Sequence, residues 1–262
     1  MPVREDDRVD VELGLGLIGI GRPWGTTHVV PDLEQSERLL TDAVHLGIRL
    51  FDTAPSYGSS EERLGSFLSG ATDLRSSLTI VTKCGEYWDR ERQAPYVDHS
   101  YDALCRGIDK SLDRLGGIDL LLVHKASVEV LRRPSTWRAL EYALHNGVAS
   151  AGASVSDLAT AKVAASLECL DWLQFPLNRL RRELAPAALI ADHAGMRVLV
   201  NRPLASGEIV KDAAPREAVT DALQFVLSHR FAGGILVGTT SPTHLVENVR
   251  AFEAVRYSHA KE

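Results

Sequence analysis

Short apolar runs rich in β-formers alternate with amphipathic segments along the whole chain, and this alternation restricts the fold more than any single motif. The runs fall at roughly 14–20, 48–52, 78–83, 118–124, 149–153, 171–175, 196–200 and 233–237. Some are apolar on both faces, as in Leu120-Leu121-Leu122-Val123. That pattern is expected of strands covered on both sides of a parallel sheet. Between them, apolar residues recur near the helical period. Tyr101 to Leu115, for example, sets Leu104, Ile108, Leu112 and Leu115 on one face. Helices are expected over 33–46 with Pro31-Asp32 as start signal, 61–68, 101–115, and 135–144 with Ser135 as cap. Further helices are expected over 156–167 opened by Ser156-Asp157, 181–193, 214–229 and 242–256. Eight strands, each followed by a helix, is the count for an α/β fold of the closed (β/α)8 TIM barrel type. No low-complexity linker or shift in composition divides the chain, so one domain over residues 1–262 is expected. The longest irregular stretch, Cys84 to Asp98, carries Tyr87 and Trp88. Long loops in a compact domain are often functional.

The bulk properties exclude several function classes. The formal net charge is −6, so a phosphate-backbone partner such as nucleic acid is not expected. Cys84, Cys105 and Cys169 show no metal-ligand spacing and are too few for a disulfide framework. They fit a reducing, cytoplasmic setting. The start, Met1-Pro2-Val3-Arg4-Glu5-Asp6-Asp7-Arg8, is charged and lacks the apolar centre of a signal peptide. No apolar run is long enough to span a bilayer, and no interface signal argues against a monomer.

Gly14-Leu15-Gly16-Leu17-Ile18-Gly19 matches the G-x-G-x-x-G dinucleotide fingerprint. That motif works only where a helix opens at the glycines and points its N–H groups at a pyrophosphate. Here Ile20-Gly21-Arg22-Pro23-Trp24-Gly25 follows, a poor helix sequence. The run reads instead as a first barrel strand whose glycines allow close packing.

Chemistry-bearing residues gather at successive strand ends, where parallel α/β folds build their sites. Asp52 closes the second run, and Tyr57 follows in a Pro/Ser/Gly turn. Lys83 closes the third run and His124 the fourth. A free phenol has a pKa of about 10, too high for ready acid–base work at neutral pH. A lysine cation beside it favours the phenolate, and a carboxylate holds that lysine charged. His124 can then bond the same substrate oxygen or relay a proton. Such a set donates a proton to a carbonyl oxygen as a hydride reaches carbon, or works in reverse. Taken singly, Asp52 can organise a turn, Tyr57 can be a rim aromatic, Lys83 a solvated charge and His124 a core histidine.

The chain resembles an aldo-keto reductase. The resemblance rests on Phe51 to Gly65, Thr82-Lys83, Ser111 to Leu115, and Asp119 to His124. It continues through Gly147-Val148, Gly152-Ala153-Ser154, Gln174, Pro203 to Gly207 and Glu247-Asn248. It implies a (β/α)8 barrel without metal and a nicotinamide cofactor lying across the C-terminal mouth. The family's catalytic tetrad falls on Asp52, Tyr57, Lys83 and His124. Ser154 and Gln174 resemble the residues that hold the nicotinamide carboxamide, and Gly16 and Leu17 those near its ribose. Pro203, Leu204, Ser206 and Gly207 resemble the pyrophosphate loop. Gly238, Thr239, Thr240 and His244 resemble the adenosine-phosphate site, and Glu247 and Asn248 the adenine contacts.

Some positions depart from the family pattern. Val155 stands where an Asn often follows the carboxamide serine, and Asn201-Arg202 where an aromatic often stacks on the ring. Arg202 has the fork for a phosphate. The positions matching the 2′-phosphate cations are Gly238 and His244, neither a strong cation, which would hold that phosphate less tightly; NADP(H) is expected from the resemblance alone and NAD(H) is the alternative. Trp24, Tyr87 and Trp88 are the expected pocket walls. The resemblance implies reduction of an aldehyde or ketone. Two alternatives use the same scaffold: a cofactor-binding regulatory barrel and a non-redox lyase or isomerase.

Overall fold

The computed structural model describes residues 11–25, 29–211 and 215–259. The charged start Met1 to Arg8 and position 214, the expected first residue of a helix, lie outside the described residues. The chain begins with β1 (Val11–Gly16), α1 (Ile18–Gly21), α2 (Leu33–His45), β2 (Leu50–Asp52) and α3 (Ser60–Gly70). Next come β3 (Thr79–Cys84), β4 (Glu86–Asp89), β5 (Ala94–Val97), α4 (Tyr101–Leu115) and β6 (Ile118–Val123). Then follow α5 (Val128–Leu131), α6 (Pro134–His145), β7 (Val148–Ser154), α7 (Leu158–Ala165) and β8 (Trp172–Pro176). The last elements are α8 (Pro186–His193), β9 (Arg197–Asn201), α9 (Pro215–Leu227), β10 (Gly233–Val237) and α10 (Pro242–His259).

Eight parallel strands close a barrel in the order β1-β10-β9-β8-β7-β6-β3-β2. Alternation along each strand sorts the apolar residues into two layers. On β6, Leu120 and Leu122 join Leu50, Val81, Leu199 and Leu236 inside the barrel. Leu121 and Val123 instead pack outward against the helices. Gly14 and Gly234 lie where an added Cβ would collide with the Leu50 side chain. These glycines therefore leave the barrel interior to leucine.

Helix starts follow local chemistry. Asp32 caps α2 through a capping box with Gln35, and Asp157 caps α7 by accepting from Thr160 N–H. The expected Ser135 cap is not used: Pro134 occupies the first turn of α6 and Arg133 precedes it without a side-chain bond. Buried Glu61 ties α3 to its neighbours, accepting from Thr82 Oγ1 at 2.6 Å, Ser111 Oγ at 2.7 Å and Arg114 at 2.9 Å. That explains four polar residues of the family-like segments, Glu61, Thr82, Ser111 and Arg114, as fold residues, and it anchors β3 beside Lys83.

Three expectations are corrected. The first strand ends at Gly16, and Ile18–Gly21 forms one helical turn where no helix was expected. Leu17 N–H donates to Asp52 O at 2.9 Å, which turns the chain out of the strand. The stretch read as irregular contains an antiparallel hairpin, with β4 paired to β5 and Trp88 opposite Pro95. The helix expected from 181 starts only at Pro186, because Asn178 first organises a turn by accepting from Leu180 and Arg181 N–H.

Candidate active site

The C-terminal strand ends bring the expected tetrad together. Pairing sets Asp52 opposite Val81, so Lys83 lies two residues further along β3 on the same side. Lys83 Nζ donates to Asp52 Oδ1 at 2.6 Å and to Thr53 O at 2.9 Å. Both side chains are almost wholly buried, 1% and 5% exposed. The ammonium lies 4.8 Å from the centroid of the Tyr57 ring. The Tyr57 and His124 rings meet edge-on with centroids 6.0 Å apart. Tyr57 is held by a tight turn in which its N–H donates to Ala54 O at 2.9 Å. Gly58 follows in the left-handed region, at φ 65°.

Burial opposes charge on Lys83, but Asp52 and the Tyr57 hydroxyl outweigh it, and the ammonium is held above its ordinary value. For Tyr57 the balance differs from the sequence expectation. Burial raises the phenol above its ordinary value; Lys83 pulls it down, while Asp52 and Glu86 push it up. The expectation of an unusually acidic phenol is corrected: Tyr57 keeps its proton. Burial also holds His124 well below the ordinary imidazole value, helped by Lys83, Lys125, His99 and Arg22. His124 is therefore neutral.

Sequence reading missed four residues around this group. Glu86 is buried, with Oε2 3.2 Å from His124 Nδ1 and Oε1 3.7 Å from Lys125 Nζ. Ser56 Oγ lies 3.5 Å from the same His124 nitrogen. His99 Nε2 donates to His124 O at 2.8 Å. The fourth is Arg22, whose guanidinium lies over Trp88 at 4.9 Å and over Trp24 at 5.1 Å. The available signal was Glu86 next to Gly85, an acid immediately after an apolar strand.

Of the expected pocket walls, Trp24 and Trp88 meet through Arg22. Tyr87 does not join them. Its hydroxyl donates to Ala103 O at 2.8 Å, and its ring packs against Gly107 of α4. Alternation along β4 sends neighbouring side chains to opposite faces.

The expected carboxamide pair is already connected to the tetrad. Gln174 Nε2 donates to Asp52 Oδ1 at 2.8 Å, and Ser154 Oγ donates to Gln174 Oε1 at 3.0 Å. Leu17 is also used within the fold: its side chain is buried and its carbonyl accepts from Ser60 Oγ at 3.0 Å. Gly16 differs. A Cβ there would come no closer than 3.6 Å to its nearest neighbour, Val237 O, and one at Gly238 would stay 3.7 Å from Gly16 O. Neither glycine is needed for internal packing, so the strand ends leave room for a planar ring. Asn201 Oδ1 is buried without a partner. Pro203 is buried beneath a loop in which Arg202, Ala205, Ser206 and Gly207 all have positive φ. Arg202 lies 5.4 Å from the Trp24 centroid. Leu204 partly packs onto the core.

Around the start of α10, Thr239 Oγ1 accepts from Ser241 N–H at 3.0 Å. Thr240 lies beside Gly19, His244 is exposed, Glu247 is half-buried and Asn248 is buried. A groove of about 390 Å3 runs from Thr240 and Pro242 to Gln35 and Arg38 on α2. These features fit an extended dinucleotide, with open glycines at one end and a polar helix start at the other. Among the described residues, no cluster of His, Cys, Asp or Glu is arranged to hold a metal. None of their helices is long and apolar enough to cross a membrane.

The aldo/keto reductase family model matches residues 12–222. The chain belongs to the aldo-keto reductase family, a family of oxidoreductases. It is 32% identical to L-galactose dehydrogenase of Arabidopsis thaliana over 43% of this chain, but that match spans only 35% of the relative's length. It is 26% identical to pyridoxal 4-dehydrogenase of Microbacterium luteolum, covering 92% of this chain and 89% of that protein. A solved aldo-keto reductase structure from Pseudomonas aeruginosa superposes with a TM-score of 0.80 at 28% identity, covering 97% of this chain and 94% of that one.

Proposed function

We propose that this aldo-keto reductase interconverts an aldehyde or ketone and the corresponding alcohol, using a nicotinamide dinucleotide. The observation that carries the reading is the buried Lys83–Asp52 pair lying 4.8 Å from the Tyr57 ring at the barrel mouth. A dihydronicotinamide held at the strand ends would supply the hydride. Tyr57, which keeps its proton, gives it to the carbonyl oxygen. Lys83, held charged by Asp52, stabilises the phenolate left behind. Glu86 Oε2, 3.2 Å from His124 Nδ1, favours the tautomer that carries its proton there, which would leave Nε2 as an acceptor for the alcohol hydroxyl. Neutral His124 would thus orient the substrate oxygen as an acceptor and not donate to the carbonyl; the proton delivered is that of Tyr57.

Gly16, Gly238, Ser154 and Asn201 are the residues that would hold the ring and its carboxamide. Gln174 acts through Ser154 and Asp52. Arg202, Pro203, Leu204, Ser206 and Gly207 would follow the pyrophosphate. Thr239, Thr240, His244, Glu247 and Asn248 would hold the adenosine end. NADP(H) is favoured, because Arg38 lines the groove with Thr240 and adds a cation there. Arg38 is paired with Glu34, which weakens that preference and keeps NAD(H) as the alternative. Two relatives are named dehydrogenases, so the oxidative direction belongs to the same reading. A single domain over 1–262, a monomer and a cytoplasmic setting complete it.

The test is oxidation of NADPH, then NADH, by an aldehyde and ketone panel, with cofactor affinity read by tryptophan fluorescence. Tyr57→Phe should abolish turnover while leaving cofactor affinity nearly intact. Cofactor binding without turnover of any carbonyl would point instead to a regulatory barrel, and full activity in Tyr57→Phe would remove the proton donor from the scheme.

A further inference from the structure

We propose that Arg22 is the specificity residue of the substrate mouth and that it binds a carboxylate carried by the carbonyl substrate. The inference rests on the carbonyl chemistry proposed above and names the substrate class.

Arg22 is placed by the fold. It follows α1, with its N–H bonded to Ile18 O at 3.1 Å. The same segment lies on the Tyr57 turn, where Ser59 N–H donates to Gly21 O at 3.1 Å. A Cβ added at Gly58 would lie 3.2 Å from Arg22 Cβ. Arg22 is therefore packed against the residue that follows Tyr57. Its charge also acts on Tyr57, Glu86 and His124.

Among the described residues the guanidinium has no ionic partner of its own: no carboxylate forms an ion pair with it. Glu86, the acid that acts on it, is committed to His124 at 3.2 Å and Lys125 at 3.7 Å. Arg22 Nε is buried and has no hydrogen-bond partner among the described residues. A buried donor without an acceptor is costly, so such groups in native folds ask for an explanation. Burial lowers the pKa of Arg22, and the opposing pull of Glu86 and Tyr57 does not offset it. Trp24 and Trp88 cover it as apolar walls, and a charge between such walls binds an opposite charge more strongly than one in water.

The ligand follows from this chemistry. The two terminal nitrogens of a guanidinium carry parallel N–H donors that match the two oxygens of a carboxylate. A doubly charged phosphate would meet the nearby Glu86 charge, so a monoanion fits better. The reaction then balances as in the proposed scheme: hydride to the aldehyde carbon, proton to its oxygen, and the carboxylate unchanged at the other end.

The experiment compares 4-oxobutanoate with butanal, two aldehydes of equal chain length, in wild type, Arg22→Gln and Arg22→Lys. Wild type should prefer 4-oxobutanoate. The ratio of the two kcat/KM values should fall about 30-fold in Arg22→Gln, mainly through KM, and less in Arg22→Lys, which keeps the charge without the fork. A wild-type ratio near one, or a ratio that Arg22→Gln leaves unchanged, overturns the proposal. Succinate binding, read by quenching of tryptophan fluorescence, gives a second measure that needs no turnover. Succinate should bind wild type at least about tenfold more tightly than Arg22→Gln. If neither aldehyde reacts, the carbonyl reading fails while succinate still decides the role of Arg22. If the variants do not fold, equal quenching of wild type by succinate and succinamide overturns the proposal, and preference for succinate supports it.

Discussion

Glu86 Oε2 lies 3.2 Å from His124 Nδ1, inside a hairpin that follows the Lys83 strand. A carboxylate near Nδ1 favours the proton on that nitrogen and leaves Nε2 as the acceptor. Glu86→Gln replaces an acceptor-only group by one that can also donate, and so releases the tautomer. The expected result is a fall in kcat of about tenfold, roughly 1.4 kcal/mol of barrier, with 15N shifts showing the proton moved toward Nε2. Unchanged kcat and unchanged ring shifts would show that Glu86 does not set the tautomer.

The Lys83–Asp52 pair is a buried ion pair, and Asp52 Oδ1 also accepts from Gln174. Removing one partner of such a pair leaves a buried charge without compensation, at a cost of about 3–5 kcal/mol. Lys83→Met should therefore lower the unfolding free energy by about that amount. Combining it with Asp52→Asn should restore a large part of the stability without restoring activity. Urea melts of the two single variants and the double variant check this, and simple additivity would contradict the coupling.

The barrel was legible in the sequence because parallel strands buried on both faces must be apolar throughout, as Leu120 to Val123 are. The tetrad was legible because Asp52, Lys83 and His124 each end such a run. Glu86 and Arg22 were not legible. Each depends on a segment that the residue pattern left irregular: the hairpin of β4 and β5, and the single turn Ile18–Gly21. Tyr87 and Trp88 read alike in sequence, and only strand alternation sends one to α4 and the other to Arg22. The sign of the Tyr57 shift was also hidden, because it depends on how deeply the phenol is buried, which sequence does not give.

The pH dependence of stability follows from these shifts. His124 is held below its ordinary value of 6.5. Below that pH the unfolded chain takes up a proton that folded His124 refuses, so this contribution is present above pH 6.5 and is lost as pH falls. Tyr57 and Lys83 are held above 10.0 and 10.5. Their contributions are present below those values and are lost as pH rises through the folded ones. Denaturant melts from pH 5 to pH 11 should therefore fall away at both ends (arms set by those three values). His124→Gln should flatten the acid arm, and Tyr57→Phe should weaken the alkaline one. An acid arm unaltered by His124→Gln would show that the imidazole is not held neutral by the fold.

Two glycines at the same mouth should respond in opposite ways to alanine. A Cβ at Gly21 would overlap Tyr57 O and crowd Ser60 N, both backbone atoms that cannot swing aside. Gly21→Ala must therefore displace the turn that carries Tyr57, costing about 1–3 kcal/mol of stability and, through a shift of the proton donor, up to about 100-fold in kcat. A Cβ at Gly16 meets nothing closer than 3.6 Å within the fold, so Gly16→Ala should leave the melting temperature in place. Its methyl would instead stand where the proposed scheme puts the nicotinamide ring, and NADPH affinity should drop at least about tenfold, roughly 1.4 kcal/mol. Calorimetry and fluorescence titration on the two variants separate the cases: Gly21 fails in melting and turnover, Gly16 in cofactor binding alone. A Gly16→Ala protein that binds NADPH as wild type does would move the ring away from β1.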